Sequence, residues 1–131
     1  MKRITILLTA AALVLAVSVP AVLAAGGDGT RIVLKAAKAF PAAKGAATFK
    51  AKPGERELEV EVEVEHIRRL AGKRVAFFVG GKKLGTAKVG ALGAAHIDRN
   101  SERGQFVPSV SAGTGVRIRT AAGVLIVKGS F

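Results

Sequence analysis

The fold is decided by residues 55–67, which read ERELEVEVEVEHI. From Leu58 to Val64 every second residue is apolar, and the residues between them are all glutamates. Successive side chains point to opposite faces of a β-strand, whereas a helix would spread both sets around its circumference. The pattern therefore predicts a half-buried strand with its valines towards a core. The other face would carry a row of glutamates: Glu55, Glu57, Glu59, Glu61, Glu63 and Glu65.

The preceding residues predict the neighbour of this strand. Pro53 and Gly54 form a turn signal, and a hairpin closed there brings opposite charges together on one face and apolar residues together on the other. The predicted pairs are Lys52 with Glu55, Lys50 with Glu57, Phe49 with Leu58, Ala47 with Val60, Gly45 with Val62 and Lys44 with Glu63. A Pro-Gly turn favours a type II geometry, which twists a tight hairpin unfavourably, so this hypothesis leaves room for a bulge beside the turn.

Short alternating segments separated by glycine-rich turns fill the rest of the chain. Further strands are predicted over residues 31–35, 45–52, 74–79, 82–89, 94–100, 116–120 and 124–128. This spacing predicts an all-β fold, an antiparallel immunoglobulin-like β-sandwich of about seven to eight strands, with a small β-barrel as the alternative.

Two connections carry more specific predictions. A hairpin closed by Gly80 and Gly81 would place Phe77 opposite Leu84 and Val75 opposite Thr86, and a third hairpin closes at residues 121–123. Residues 99–115 form the longest segment without a strand pattern. The apolar residues of this segment are too many for a free loop, so we expect it to cross between the sheets and pack on the core through Phe106, Val107 and Val110.

Residues 1–24 have the layout of a secretory signal peptide. Lys2 and Arg3 precede an uncharged apolar run, and the small residues near Ala24 match a processing site. The prediction is a signal-peptide helix cleaved after Ala24, a flexible leader over residues 25–30 and one β domain over residues 31–131. The predicted location is the periplasm or the extracellular space, and the predicted membrane contact is through this segment alone, should it stay uncleaved as an anchor.

The chain is strongly basic, with 21 Lys and Arg against 9 Asp and Glu and a formal net charge of +12. Because most of the acids stand in the glutamate row, bases elsewhere are unbalanced. The candidate binding residues are the clusters Arg68, Arg69, Lys73, Arg74, Lys82, Lys83, Arg117 and Arg119. Such a surface attracts anionic polymers and anionic lipid. Nucleic acid is not the predicted partner, since a single-strand binder uses exposed aromatic rings and this chain has no Trp or Tyr.

Residue types that bind metals or perform catalysis are sparse. There is no cysteine and no HxH or HExxH motif, which predicts neither a metal site nor a cofactor. His96 and Asp98 alternate on one strand with serines downstream, but no GxSxG nucleophile elbow is present, so the prediction is a protein that is not an enzyme. Neighbouring glutamates of the row lie about 6.6–7 Å apart along a strand, too far to share one ion comfortably. The row is interpreted as a solvated face neutralised by Lys44, Lys50, Lys52 and basic residues on the other neighbouring strand.

Several segments together resemble a type of small secreted bacterial domain of uncharacterised function. They are ATF at 47–49, the glutamate strand, LAGKRV at 70–75, GGKKLGTAKV at 80–89 and residues 103–131. The resemblance implies an immunoglobulin-like sandwich and no particular ligand. The predicted function is an exported, non-enzymatic binding or structural module of the bacterial envelope. The alternatives are a basic module that docks on anionic envelope polymer or lipid, an adaptor for another envelope protein and, least favoured, a small hydrolase.

Overall fold

A computed structural model of the chain describes residues 29–64 and 70–131. Within these ranges the strands are β1 (Thr30–Ala36), β2 (Ala43–Lys52), β3 (Glu55–Val64), β4 (Arg74–Val79), β5 (Lys82–Lys88), β6 (Ala94–Asn100), β7 (Gly115–Thr120) and β8 (Leu125–Ser130). A turn of 3-10 helix (Ser101–Arg103) follows β6. The all-β, antiparallel prediction is confirmed. The predicted signal peptide lies outside the described residues, as does most of the predicted leader, whose last residue Thr30 begins β1.

The strands belong to one sheet in the order β5-β4-β7-β8-β1-β2-β3-β6. Strand β1 joins its two parts, because Thr30–Leu34 pair with β2 whereas Lys35 and Ala36 pair with β8. The sheet curls until its edge strands β5 and β6 meet, so the architecture is nearly a closed barrel. The immunoglobulin-like sandwich is not confirmed, since β1 connects the strands into one sheet, as in the barrel alternative.

Side chains close the seam between β5 and β6. The Arg99 guanidinium (Nη2) on β6 donates to the backbone carbonyl of Leu84 over 3.3 Å. A Cβ atom at Gly85 would lie 2.6 Å from Arg99 Nη2 and 2.7 Å from Ile97 Cδ1, so β6 packs directly on the backbone of β5 at this glycine. Ile97 itself is buried in the core. The barrel is therefore completed by packing at a position where β5 has no side chain.

The β2–β3 hairpin has the predicted register throughout. Every predicted pair is present, from Lys52 with Glu55 at the turn to Lys44 with Glu63 at the far end, and no bulge interrupts them. Gly54 has a φ of +82°, the value that the third position of a type II turn requires. The apolar residues of β3 are all buried, which confirms that its valines face the core: Leu58, Val60, Val62 and Val64.

The β4–β5 hairpin departs from its predicted register. Its turn is placed correctly, with Val79 opposite Lys82, but a bulge at Phe77 and Phe78 shifts the remaining pairs by one residue. Phe77 consequently lies opposite Gly85 and Val75 opposite Ala87, so the predicted pairs with Leu84 and Thr86 are wrong. The shift places Gly85, and not Leu84, beneath the side chains of β6.

The segment between β6 and β7 packs on the core in part. Val107 is buried and Val110 is partly buried against the core, as predicted. Phe106 is 61% exposed, so its predicted burial is wrong. The ring of Phe106 instead lies at the surface, where its centroid is 5.8 Å from the Lys82 ammonium in a cation–π contact.

Leu34 lies at the point where β1 passes from one part of the sheet to the other. A Cβ atom at Gly45 on β2 would approach Leu34 Cβ to 3.2 Å, and one at Gly129 on β8 would approach Leu34 Cδ2 to 2.8 Å and the Val33 carbonyl oxygen to 3.3 Å. Leu34 is 2% exposed. Two glycines thus leave the space that this buried leucine occupies between β2 and β8.

Substitution Gly129→Ala is expected to lower the free energy of unfolding by about 1–3 kcal/mol, because the added methyl group overpacks the contact with Leu34. The matched control is Gly115→Ala, where a Cβ atom would meet only the Gly129 carbonyl oxygen at 4.0 Å. The control should change stability by no more than about 0.5 kcal/mol. Urea unfolding followed by circular dichroism measures both, and equal losses in the two variants would contradict the assignment.

A polar contact joins the β2–β3 turn to the end of β6. The Asn100 side chain donates from Nδ2 to Glu55 Oε2 over 2.9 Å, and Lys52 Nζ lies 3.9 Å from Glu55 Oε1. The hydrogen bond from Asn100 holds the pKa of Glu55 below its ordinary value; partial desolvation opposes this, and the Lys52 charge adds to it.

Replacing Asn100 with alanine is expected to raise the pKa of Glu55. A depressed pKa in the folded state stabilises the protein above the pKa of the unfolded chain, and this contribution disappears as the pH falls through the folded value. The acid-side dependence of stability should therefore shrink in N100A. A ¹³C NMR titration of the Glu55 carboxyl group measures the shift, with Lys52→Gln expected to cause a smaller rise. An unchanged midpoint in N100A would show that the hydrogen bond has no such effect.

Candidate functional site: a basic sheet face

Acids and bases are distributed unequally around the barrel. Each Asp and Glu within residues 29–64 and 70–131 lies in β3, β6 or the 3-10 turn: Glu55, Glu57, Glu59, Glu61, Glu63, Asp98 and Glu102. The charged residues of β4, β5, β7 and β8 are all lysines and arginines. We call the outward surface of these four strands, together with Lys35 at the end of β1, the basic face.

The glutamate row is balanced by bases of β2 and β1. Its other neighbour, β6, places no lysine or arginine opposite a glutamate and puts Asp98 opposite Glu59, so the predicted bases on that strand are wrong. Lysines of β2 stand directly opposite Glu55, Glu57 and Glu63. On β1, the Arg31 guanidinium lies 3.3 Å from the Glu61 carboxylate, and both side chains are more than half exposed. These exposed pairs compensate the charge of the row although each contributes little to stability. The excess positive charge of the described residues is therefore concentrated on the other part of the barrel.

A row of cations crosses the basic face at right angles to the strands. The register places Lys83 opposite Phe78, Phe78 opposite Arg117, Arg117 opposite Lys128, and Lys128 opposite Lys35. We call these five residues the cross-strand row. Directly opposite residues have Cβ atoms about 4.5–5.5 Å apart, a spacing at which like charges repel. All four cations are exposed, and none has a side-chain hydrogen bond or ion pair with another described residue.

The predicted candidates fall into different places. Lys83 and Arg117 belong to the cross-strand row, and Arg119 follows on β7, donating to the Gly123 carbonyl oxygen over 3.1 Å. At the opposite end of the barrel from Lys82, Arg74 pairs with Lys88 in register, and Lys73 directly precedes it.

Two further predicted candidates, Arg68 and Arg69, lie outside the described residues. Lys82 is at the β4–β5 turn and is directed towards Phe106, away from the cross-strand row. The predicted candidates therefore do not form a single surface.

Two cations of the row were missing from the sequence prediction. Lys128 lies opposite Arg117 because a bulge between Ile118 and Arg119 shifts the register of the third hairpin by one residue; the uninterrupted register from its turn would place Val127 there. Lys35 depends on the pairing of β1 with β8, which are 88 residues or more apart in sequence and share only two register pairs. No local signal indicates that contact.

Where β1 leaves β8, the outward surface contains a shallow cavity of about 410 Å³. Cations of the cross-strand row form one rim, namely Lys35, Arg117 and Lys128, and the opposite rim is formed by Val33, Gly115 and Ser130. A second cavity, of about 360 Å³, lies on the other part of the sheet beside Arg31, Lys44, Glu61, Glu63 and His96. Because both acidic and basic side chains line this second cavity, it does not favour anionic over cationic ligands.

Two of the residues considered for catalysis, Asp98 and Ser101, have partners other than each other or His96. Asp98 pairs with Arg103 over 3.5 Å, and His96 stands opposite Glu61 on the outer face. The Ser101 hydroxyl accepts a hydrogen bond from the backbone N–H of Arg56 over 2.7 Å.

Across the ranges 29–64 and 70–131, no group of three or more His, Cys, Asp or Glu side chains is arranged to hold a metal ion. The same ranges contain no helix that is long and apolar enough to cross a membrane.

Neutralising one cation should have opposite effects in the two parts of the barrel. Lys128→Gln removes repulsion with Arg117 and Lys35, so it is expected to raise the free energy of unfolding by about 0.2–1 kcal/mol. Lys50→Gln removes the attraction to Glu57 and should lower it by a similar amount. Chemical denaturation in about 0.01 M and about 1 M salt measures both, and both effects should fade as salt screens the charges. Two changes of the same sign at low salt would contradict this charge distribution.

Comparisons with known proteins add no relative to this description. No protein family model matches the chain, and neither a curated protein nor a solved structure matches it. The resemblance to small secreted bacterial domains therefore stays a prediction from the sequence.

Proposed function

We propose that this protein is an exported, non-enzymatic module that binds a linear anionic polymer of the bacterial envelope through its basic face. The observation that carries the proposal is the cross-strand row, which holds four exposed cations with no acid beside them, three of which stand directly opposite one another and repel. A polyanion laid across the strands would neutralise these charges and release its own counterions, which favours binding.

The length and shape of the row suit an extended polymer. The row crosses five neighbouring strands, and neighbouring strands lie about 4.8 Å apart, so its cations span about 19 Å. Phe78, the second residue of the row, is half-buried and leaves a neutral position between Lys83 and Arg117. An extended chain with repeated negative groups can contact all four cations at once, whereas a small anion can contact only some of them.

The exposed apolar residues favour a polymer over a membrane surface or a protein partner. The large exposed hydrophobic side chains of the described residues are Val33, Leu92, Phe106 and Val124. They lie on separate elements, and of the four only Val33 lines the cavity beside the cross-strand row. Membrane-surface binding commonly adds several apolar side chains to the positive charge, and adaptor surfaces present a contiguous apolar patch. Neither feature accompanies the cross-strand row.

The test compares two triple variants that lose the same number of charges. One is Lys83→Gln with Arg117→Gln and Lys128→Gln on the basic face, and the matched control is Lys50→Gln with Lys52→Gln and Arg103→Gln on the other part of the barrel. Binding of the chain without residues 1–24 to linear polyphosphate is measured by calorimetry between about 50 and 200 mM salt.

The basic-face variant is expected to bind at least about tenfold more weakly at low salt, and its slope of log affinity against log salt should fall by about 2, since each phosphate contact contributes about 0.7. The control should lose much less affinity. Equal losses in the two variants would mean that net charge alone attracts the polymer, and affinity without salt dependence would remove the electrostatic mechanism. Export is tested separately, by locating the full chain in cell fractions and sequencing its N-terminus.

A further inference from the structure

The cavity beside the cross-strand row has a defined origin in the fold. Strand β1 pairs with β8 only through Lys35 and Ala36, whereas its earlier residues, Thr30–Leu34, pair with β2. Strands β1 and β8 therefore separate on the N-terminal side of Lys35. On the outward surface this separation leaves the space of about 410 Å³. The strand register aligns Lys35, Lys128 and Arg117 along one rim of this space, one from each of three neighbouring strands.

The opposite rim leaves room beside these cations. Gly115 faces outward and contributes no side chain, and Ser130, its register partner on β8, contributes a hydroxyl group. Val33 is 75% exposed and forms the remaining wall. An anion in the cavity would therefore meet three positive charges on one side and a hydroxyl donor on the other, with no acidic residue on either rim.

We propose that this cavity is a binding subsite for a phosphate group. A phosphate monoester carries about −1.5 to −2 charges and three terminal oxygens, which matches three converging cations better than a carboxylate with one charge and two oxygens. The Arg117 guanidinium supplies a planar pair of donors, and the two lysines supply ammonium groups that adjust to the remaining oxygens. This inference rests on the proposed function, which it deepens by naming the chemical group that the row selects.

Gly115 provides a test that changes no charge. Gly115→Val places a branched side chain in the cavity, and because Gly115 lies in a strand without a positive φ, valine suits its backbone conformation. The variant keeps all three cations and the net charge. It is therefore expected to fold normally, as circular dichroism and urea unfolding would verify, while the phosphate group loses its space.

The experiment is a titration of the ¹⁵N-labelled chain without residues 1–24, followed by NMR, with inorganic phosphate, glycerol 1-phosphate and acetate at equal ionic strength. Both phosphates are expected to shift the resonances of Gly115, Arg117, Lys128 and Ser130, and acetate should shift them much less. A larger response to glycerol 1-phosphate would identify an esterified phosphate as the natural source, and an equal response would identify the free ion. Either response supports the subsite.

The variants then separate the subsite from the wider surface. Gly115→Val and Lys128→Gln should each weaken phosphate binding at least about tenfold, whereas the control Lys50→Gln should leave it unchanged. Equal shifts with acetate, shifts spread over all lysines, or full phosphate binding by Gly115→Val would overturn the inference. If polyphosphate still binds with its usual salt slope while those results are obtained, the subsite is wrong and the proposed function stands; if the two triple variants also behave alike, both are wrong.

Discussion

The architecture depends on how β1 is shared between the two parts of the sheet. Its first five residues pair with β2 and its last two with β8, and Leu34 sits at the change between them. A buried leucine fits there only because Gly45 and Gly129 present no side chain on either flank. Close packing leaves little tolerance at such a point. The same divergence of β1 from β8 opens the surface cavity, so core packing and the candidate site have one structural cause.

The charge pattern follows from which strands the sheet brings together. Glutamates of β3 face the lysines of β2, which places attraction within a local hairpin. On the basic face the neighbours are all cationic, and Arg117, Lys128 and Lys35 meet across strands with no compensating acid. Such an arrangement is unfavourable for the isolated fold. The chain therefore keeps a repulsive surface on a barrel whose other part is electrostatically balanced, and the proposed polyanion would relieve this repulsion.

Predictions from the sequence succeeded where partners are adjacent in the chain. The register of β2 with β3 followed from turn position and residue alternation alone, because a two-residue connection leaves few alternative pairings. The β4–β5 hairpin shows the limit of this reasoning. Its turn was correct, but the bulge beside Phe77 places Gly85, not Leu84, where Ile97 and Arg99 of β6 pack. That choice is made by a strand from elsewhere in the chain, and no local pattern contains it.

What the amino-acid sequence determined by itself was the strand class, the faces of β2 and β3 and the net positive charge, since these depend on alternation and composition. It also identified Lys83 and Arg117 as exposed bases. Only the tertiary structure decided that all strands form one nearly closed sheet, and that Lys35 lies beside Lys128 to complete the cross-strand row. The reason is physical: strand pairing between distant segments is set by the packing of the whole core, whereas side-chain alternation is a property of each strand alone.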